Sequence, residues 1–248
     1  MHFAREDLYT DLETRIRYLH SFLDFSSRDI EALTTGSKYI KALIPALVNI
    51  VYKKLLQYDI TARAFETKTT TYSGPIDVGE KLSETSPQIL QRKMFLRKYL
   101  TRLCGDPSEL DYWSYLSQVG HLHTGRSPSS PLHIEYMHIG LTLSFIQDVL
   151  TEAILSHPRL SMERKIALVK ALSKVIWIQN DLFAKCFGGC TRLGARLGAR
   201  LGTYETAGLP IGVGGGDRFR LGVRKVSDRV SSAASEATGH TGGVSPST

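Results

Sequence analysis

Two histidines separated by one residue, His121 and His123, follow Gly120 near the end of an apolar segment and precede a loop rich in Gly, Ser and Pro. Histidine is the commonest metal ligand among the side chains, so a buried imidazole here could bind a metal. Residues three, four and seven positions apart share one face of a helix. His123 falls on the face of Leu116, Val119 and Gly120, whereas His121 lies off it. The spacing therefore predicts that His123 points inward.

The rest of the sequence limits the metal chemistry open to an inward His123. No second histidine or carboxylate recurs at the spacing of zinc or di-iron ligands. Haem iron is commonly held by one proximal histidine, and the opposite axial position is left for a gas. Gly120 removes a side chain one turn before His123, which leaves room for a flat, bulky group. A haem ligand is one interpretation, and a core histidine bonded to a nearby carbonyl is the other.

Apolar residues at helical spacing run through residues 6–187 and would build the framework around this histidine. We predict six helices, over residues 6–23, 37–57, 86–103, 107–125, 132–156 and 161–187. A short helix capped by Ser26 and Asp29 is predicted before the helix over residues 37–57. One or two turns are predicted after that helix, at residues 61–65. Pro45 predicts a kink or a break because it cannot complete the helical hydrogen bonds. Alternating strand patterns are absent, so the sequence predicts an all-α domain.

The composition narrows the classes of function. The net charge of +7 is scattered along the 248 residues, which favours a solvated surface over a nucleic-acid interface. No segment approaches the about 20 apolar residues of a membrane span, and the start of the chain has no apolar signal core. Three cysteines do not make a disulfide framework, so we expect a cytoplasmic protein. Residues 188–248 are rich in Gly, Ser and Arg, and we expect this tail to be disordered.

Three segments in order resemble one known family. Residues 39–65 read YIKALIPALVNIVYKKLLQYDITARAF, a helix follows at residues 84–103, and residues 115–125 read YLSQVGHLHTG. This arrangement is similar to the sensor-globin family, which contains protoglobins and globin-coupled sensors, and the similarity extends over about residues 8–187. The Gly-x-x-His element at residues 120–123 matches the family's proximal histidine. The resemblance implies a globin-like helical sandwich with an extra N-terminal helix over residues 6–187.

The resemblance also implies roles for individual residues. His123 would bind the iron of haem b, Gly120 would leave space beside it, and Tyr52 would place its hydroxyl in the distal pocket. The other candidates line the haem, with Phe65, Phe95 and Leu100 on the distal side and Trp113, Leu116, Val119 and Tyr136 on the proximal side. Leu100 stands where the family has an aromatic residue. Ordinary core packing explains each lining residue equally well, and a boundary position explains Tyr52.

The function that these roles imply is reversible binding of O2, CO or NO by a stand-alone globin or gas sensor. Residues after 187 lack the pattern of a transmitter domain. The family pairs its last two long helices between copies, which implies a homodimer through residues 132–156 and 161–187. A haem enzyme, such as an NO dioxygenase or a peroxidase-like protein, is a less favoured alternative because no flavin or nicotinamide motif is present. A haem-free, dimeric helical adaptor is the third possibility.

Overall fold

The computed structural model describes residues 2–67, 72–126 and 132–188, and its secondary structure over these residues is helical. The only pairing of extended residues within those ranges is an isolated bridge between Thr124 and His133. The helices are α1 (Asp7–Thr10), α2 (Leu12–Phe22), α3 (Ser27–Leu56), α4 (Asp59–Ala62), α5 (Pro87–Leu103), α6 (Leu110–Leu122), α7 (Tyr136–Ser156) and α8 (Met162–Gly188), with 3-10 turns at Arg63–Phe65 and Gly79–Lys81. The predicted all-α class is confirmed. The tail predicted beyond Gly188 lies outside the described residues.

The N-terminal segment forms two helices where the sequence predicted one over residues 6–23. Asp11 is extended, with φ −112° and ψ 120°, and so separates α1 from α2. Its carboxylate accepts a hydrogen bond from the backbone N–H of Thr14 at 2.8 Å. This bond caps α2, because an aspartate before a helix satisfies one of the free N–H groups of its first turn.

Helix α3 begins at the predicted cap but does not stop where the sequence indicated. Ser26 and Asp29 form a capping box, in which the Ser26 N–H donates to the Asp29 carboxylate at 2.8 Å. The helix then continues for 30 residues through Pro45, so the predicted separate short helix and the predicted break are wrong. Pro45 and Lys41, whose carbonyl loses its usual partner, both lie on the exposed side of α3. The missing bond therefore faces water, where the loss is tolerated.

Helix α6 is shorter than the predicted helix over residues 107–125. At its start, the Asp106 carboxylate accepts bonds from the backbone N–H and the hydroxyl of Ser108, at 2.9 and 2.7 Å, which holds a turn before the helix. At its end, Gly125 adopts a left-handed conformation with φ +71°. His123 consequently lies directly after the last helical residue, Leu122, rather than inside the helix.

The helices enclose two groups of buried side chains that meet at α8. The larger group lies among α3, α5, α7 and α8 and includes Tyr52, Phe65 and Leu100. The smaller lies among α2, α6 and α8 and includes Trp113 and Leu116. The expectation that no segment approaches a membrane span is wrong for α7, which has that length and apolar composition. Core helices of soluble proteins share both properties, and α7 packs against α3 and α8. Helix α8 thus contributes side chains to both buried groups.

Candidate functional site

His123 faces the interior, as predicted, whereas His121 is exposed. The Nδ1 atom of His123 lies 2.8 Å from the carbonyl oxygen of Val119. Because a carbonyl only accepts, Nδ1 carries the proton and donates it, and Nε2 is left with a lone pair. Burial lowers the pKa of His123, and so favours the neutral ring. A neutral imidazole with one nitrogen anchored and the other available is the form that ligates metals.

Phe183 of α8 packs against His123 and was not identified from the sequence. The two rings are stacked, with their centroids 6.1 Å apart and their planes 27° apart. Gly120 makes this approach possible, because a Cβ atom there would lie 2.7 Å from Phe183 Cδ1 and 3.2 Å from Phe183 Cα. The flat group that occupies the space beside Gly120 is therefore Phe183. The glycine acts by bringing α8 close to α6.

Tyr52 and Phe65 form the second part of the site. Tyr52 lies near the end of α3, Phe65 ends the 3-10 turn that follows, and their ring centroids are 5.6 Å apart. Each side chain is 7% exposed. Burial raises the pKa of Tyr52 well above its ordinary value, so the phenol keeps its proton. Both residues were assigned to the distal side from the family resemblance, and the structure brings their rings into contact.

Arg92 of α5 packs against the Phe65 part of the site, and it was not identified from the sequence. Its guanidinium carbon lies 5.2 Å from the centroid of the Phe65 ring, and Nη2 donates to the carbonyls of Ala64 and Thr67 at 3.4 and 3.3 Å. Burial lowers the pKa of His123, and the charge of Arg92 adds to that effect. The same charge partly opposes the rise that burial causes at Tyr52. Arg92 thus acts electrostatically on both side chains.

A signal for Arg92 is present in the sequence. Arg92 follows Ile89 by three positions and precedes Leu96 by four, so it shares the inward face of α5 with apolar residues. A cation at such a position is rare in a core unless it is paired or has a function. This pattern separates Arg92 from Arg97, which lies on the exposed side of the same helix.

The remaining distal candidates lie in different surroundings. Leu100 is buried in the same group as Tyr52 and Phe65, and it lines a cavity of about 50 Å³ among α3, α5, α7 and α8. Phe95 is 42% exposed, so the structure does not bring it into that buried group. A lining role for either side chain stays a prediction.

The proximal candidates divide between the two buried groups. Trp113 and Leu116 pack toward α2, and the Trp113 indole N–H donates to the carbonyl of Pro107 at 2.8 Å. Val119 lies at the edge of the larger group and provides the carbonyl that holds His123. Tyr136, at the start of α7, donates its hydroxyl hydrogen to Asn180 at 2.9 Å. Of these residues, Val119 has a direct contact with His123.

His123 could hold a metal only as a single protein ligand. Residues 2–67, 72–126 and 132–188 contain no cluster of three or more His, Cys, Asp or Glu side chains able to hold a metal ion. If haem were bound, His123 would supply the protein ligand to its iron and the porphyrin would supply the other ligands. The free Nε2 atom, the buried phenol of Tyr52 and the cation of Arg92 are groups that such a cofactor and its ligand can use.

Comparison with known proteins identifies both the family and the fold. The Protoglobin family model matches residues 12–188. The fold is similar to the globin domain of the globin-coupled sensor of Geobacter sulfurreducens, with a TM-score of 0.54 and 15% sequence identity. That match covers 69% of this chain and 97% of the other domain. A comparison with curated proteins found no match. The architecture is therefore a globin-like helical sandwich with an extra N-terminal helix.

Proposed function

Because the chain belongs to the Protoglobin family, we propose that it is a globin that binds haem b through His123 and reversibly binds a diatomic gas, O2, CO or NO. One observation carries the proposal. The Nδ1–H group of His123 is bonded to the Val119 carbonyl at 2.8 Å, which leaves Nε2 of a half-buried, neutral ring free to act as a ligand. Haem held in this way would supply an iron that can bind a gas.

The residues around His123 would keep the imidazole ready for ligation. The Val119 carbonyl fixes the tautomer and makes Nε2 a stronger donor to a metal. Phe183, stacked on the ring and packed against Gly120, limits rotation of the imidazole. Both contacts would hold the imidazole in one orientation toward a bound haem.

Tyr52 would tune the affinity for the gas. Its hydroxyl keeps its proton because burial raises its pKa, and it is therefore a hydrogen-bond donor. Dioxygen held by haem carries partial negative charge, and one neutral hydrogen bond to it contributes about 1 kcal/mol. Carbon monoxide gains less from the same donor. We expect Tyr52→Phe to release O2 about five- to tenfold faster, while CO release changes little, as measured by stopped-flow spectroscopy.

The absorption spectrum tests the function directly. Full-length protein supplied with haem should show a Soret band that shifts reversibly when the ferrous form is moved from argon to air and then to CO. A protein that stays colourless after haem supplementation would contradict the proposal and favour a haem-free adaptor. Rapid, sustained NO consumption in the presence of a reductase would instead favour a haem enzyme.

We also propose that the protein pairs with a second copy through α7 and α8, as expected for this family. Exposed apolar side chains follow one face of each helix: Met137, Leu141 and Leu155 on α7, and Met162, Ile166 and Trp177 on α8. Burial of such a stripe against its own copy would remove it from water. Analytical ultracentrifugation should give a dimer for the wild type and a monomer for Leu141→Glu combined with Trp177→Glu. A wild-type monomer at micromolar concentration would contradict the dimer.

A further inference from the structure

The cavity of about 50 Å³ among α3, α5, α7 and α8 is separate from the side chains assigned to haem and gas. Of the candidates for the haem site, Leu100 alone lines it, whereas His123, Tyr52 and Phe65 do not. A water-sized group needs about 10–15 Å³ of such space, so the cavity has room for about three to five non-hydrogen atoms. It can therefore hold a small molecule independently of the haem site.

Two polar side chains that line this cavity have no hydrogen-bond partner among the described residues. Gln179 of α8 is 1% exposed, and both its Oε1 and its Nε2 atom are unpaired. The hydroxyl of Tyr99 on α5 is also buried and unpaired. Buried polar groups in folded proteins nearly always have partners, because an unmade hydrogen bond is costly. The three atoms therefore call for a partner that the described polypeptide does not supply.

The rest of the lining limits that partner to a small, neutral molecule with an apolar part. Apart from Ser37 and Cys104, the other described residues that line the cavity are apolar, and none of them carries a charge. A charged ligand would lose its hydration there without compensation. Water needs two to four polar partners, which the apolar walls do not offer. Burial raises the pKa of Tyr99 well above its ordinary value, so the phenol also stays neutral.

We propose that this cavity is a binding site for a small primary amide, with Gln179 as the group that recognises it. A carboxamide donates an N–H to Oε1 and accepts one from Nε2 at the same time, so one ligand satisfies both atoms of Gln179. Tyr99 donates its O–H to the remaining lone pair of the ligand's carbonyl oxygen. The carbon part of the ligand packs against the apolar walls. Acetamide, with one methyl and one carboxamide group, has the required size and is the probe.

The proposal predicts which changes weaken the binding of acetamide. The wild type should bind it with millimolar affinity, because a ligand of so few atoms makes few contacts. Gln179→Met keeps the approximate size of the side chain and removes both amide atoms, so it should weaken binding about ten- to a hundredfold. Tyr99→Phe removes one hydrogen bond and should weaken binding about three- to tenfold. Acetone, which has a methyl group in place of the amide nitrogen, should bind the wild type about tenfold more weakly than acetamide.

The experiment is a titration of the full-length protein with acetamide, in which NMR measures saturation transfer from the protein to the acetamide methyl protons. In isotope-labelled wild type, the side-chain amide signals of Gln179, assigned by their absence in Gln179→Met, should shift in a saturable way. Gln147→Met is the matched control and should keep the wild-type affinity. Gln147 lies on α7, does not line the cavity, and donates from Nε2 to the Ser173 hydroxyl at 3.2 Å. Far-UV circular dichroism checks that each variant is folded.

Saturable acetamide binding that Gln179→Met and Tyr99→Phe weaken, and that Gln147→Met leaves unchanged, supports the amide site. Equal affinities for acetone and acetamide overturn it, since the cavity would then select only for size. Equal acetamide affinities of the wild type and Gln179→Met also overturn it, because the ligand would then bind elsewhere. Absence of saturable binding overturns it as well, and long-lived water signals at Gln179 would then assign the cavity to ordered water. If Gln179→Met does not fold, Tyr99→Phe and the comparison with acetone decide.

Discussion

The contact between Gly120 and Phe183 offers a direct test of how the site is built. A methyl group at position 120 would lie 2.7 Å from Phe183 Cδ1 and 3.2 Å from Phe183 Cα. The ring atom can move, but the Cα atom belongs to the backbone of α8, so relief of the clash requires the two helices to separate. Because Phe183 also stacks on His123, the same movement disturbs the imidazole.

Two opposing effects determine how much Gly120→Ala changes the free energy of unfolding. Overpacking of a core contact costs about 1–3 kcal/mol of folding free energy. Replacement of a helical glycine by alanine returns about 1 kcal/mol. The net loss should therefore be about 1 kcal/mol. Gly140 of α7 is the matched control, since the nearest atom to a Cβ there is Asn180 Oδ1 at 4.0 Å, so Gly140→Ala should gain about 0.5–1 kcal/mol.

Urea unfolding of the haem-free protein, followed by circular dichroism, measures both variants. We expect the free energies of unfolding of the two variants to differ by about 1.5–2 kcal/mol, with the wild type between them. Gly120→Ala should also lose haem faster than the wild type in transfer to apomyoglobin, whereas Gly140→Ala should not. Equal stabilisation by the two substitutions would refute the close approach of α8 to α6.

Three further substitutions test other parts of the framework. Asp181→Asn should lower the free energy of unfolding, measured in urea, by about 1–3 kcal/mol, because Arg15 loses the carboxylate that it contacts at 2.6 and 2.8 Å. An unchanged free energy of unfolding would mean that α2 packs against α8 without this ion pair. Burial alone would raise the pKa of Asp29, yet the bonds from Lys174 and Ser26 hold it below 3.8, so the carboxylate stabilises the fold above that pH. Asp29→Asn should accordingly be destabilised at pH 7 and approach the wild type as the pH falls below 3.8, and a pH-independent difference in Tm would argue against the pairing. Gln179→Met should raise the free energy of unfolding, measured in urea, by about 1 kcal/mol, because both amide atoms are buried without a hydrogen-bond partner in the described part of the chain. A decrease would show that the amide has hydrogen-bond partners in the folded protein.

The course of the helices was largely predictable because the relevant physics is local. Apolar spacing located most of the helices, and the Ser26–Asp29 cap and Pro87 correctly marked where two of them begin. The two errors had different causes, one in tertiary packing and one in a local cap. Pro45 did not break α3, because the buried residues on both sides of it pack onto one core and its missing bond faces water. Asp11 divided the first helix because its side chain caps α2.

The site was predictable only where its residues are close in sequence or share a helical face. The inward orientation of His123 follows from its spacing to Leu116, whereas the grouping of Tyr52 with Phe65 came from the family resemblance. Phe183 was missed because α8 reaches His123 through tertiary packing, and Arg92 was missed because α5 reaches Phe65 in the same way. The effect of Gly120 was likewise not readable from one helix, since the group that fills its space lies 63 positions further along the chain.

Ligation of haem iron by His123 is the claim on which the rest depends, and a cavity variant tests it most directly. Haem titration of His123→Gly should give a much weaker complex with an altered Soret band, and added imidazole should restore the wild-type spectrum by replacing the lost ring. The control His121→Gly, changed at an exposed position, should titrate as the wild type does. Unaltered haem binding and an unaltered spectrum in His123→Gly would contradict the account.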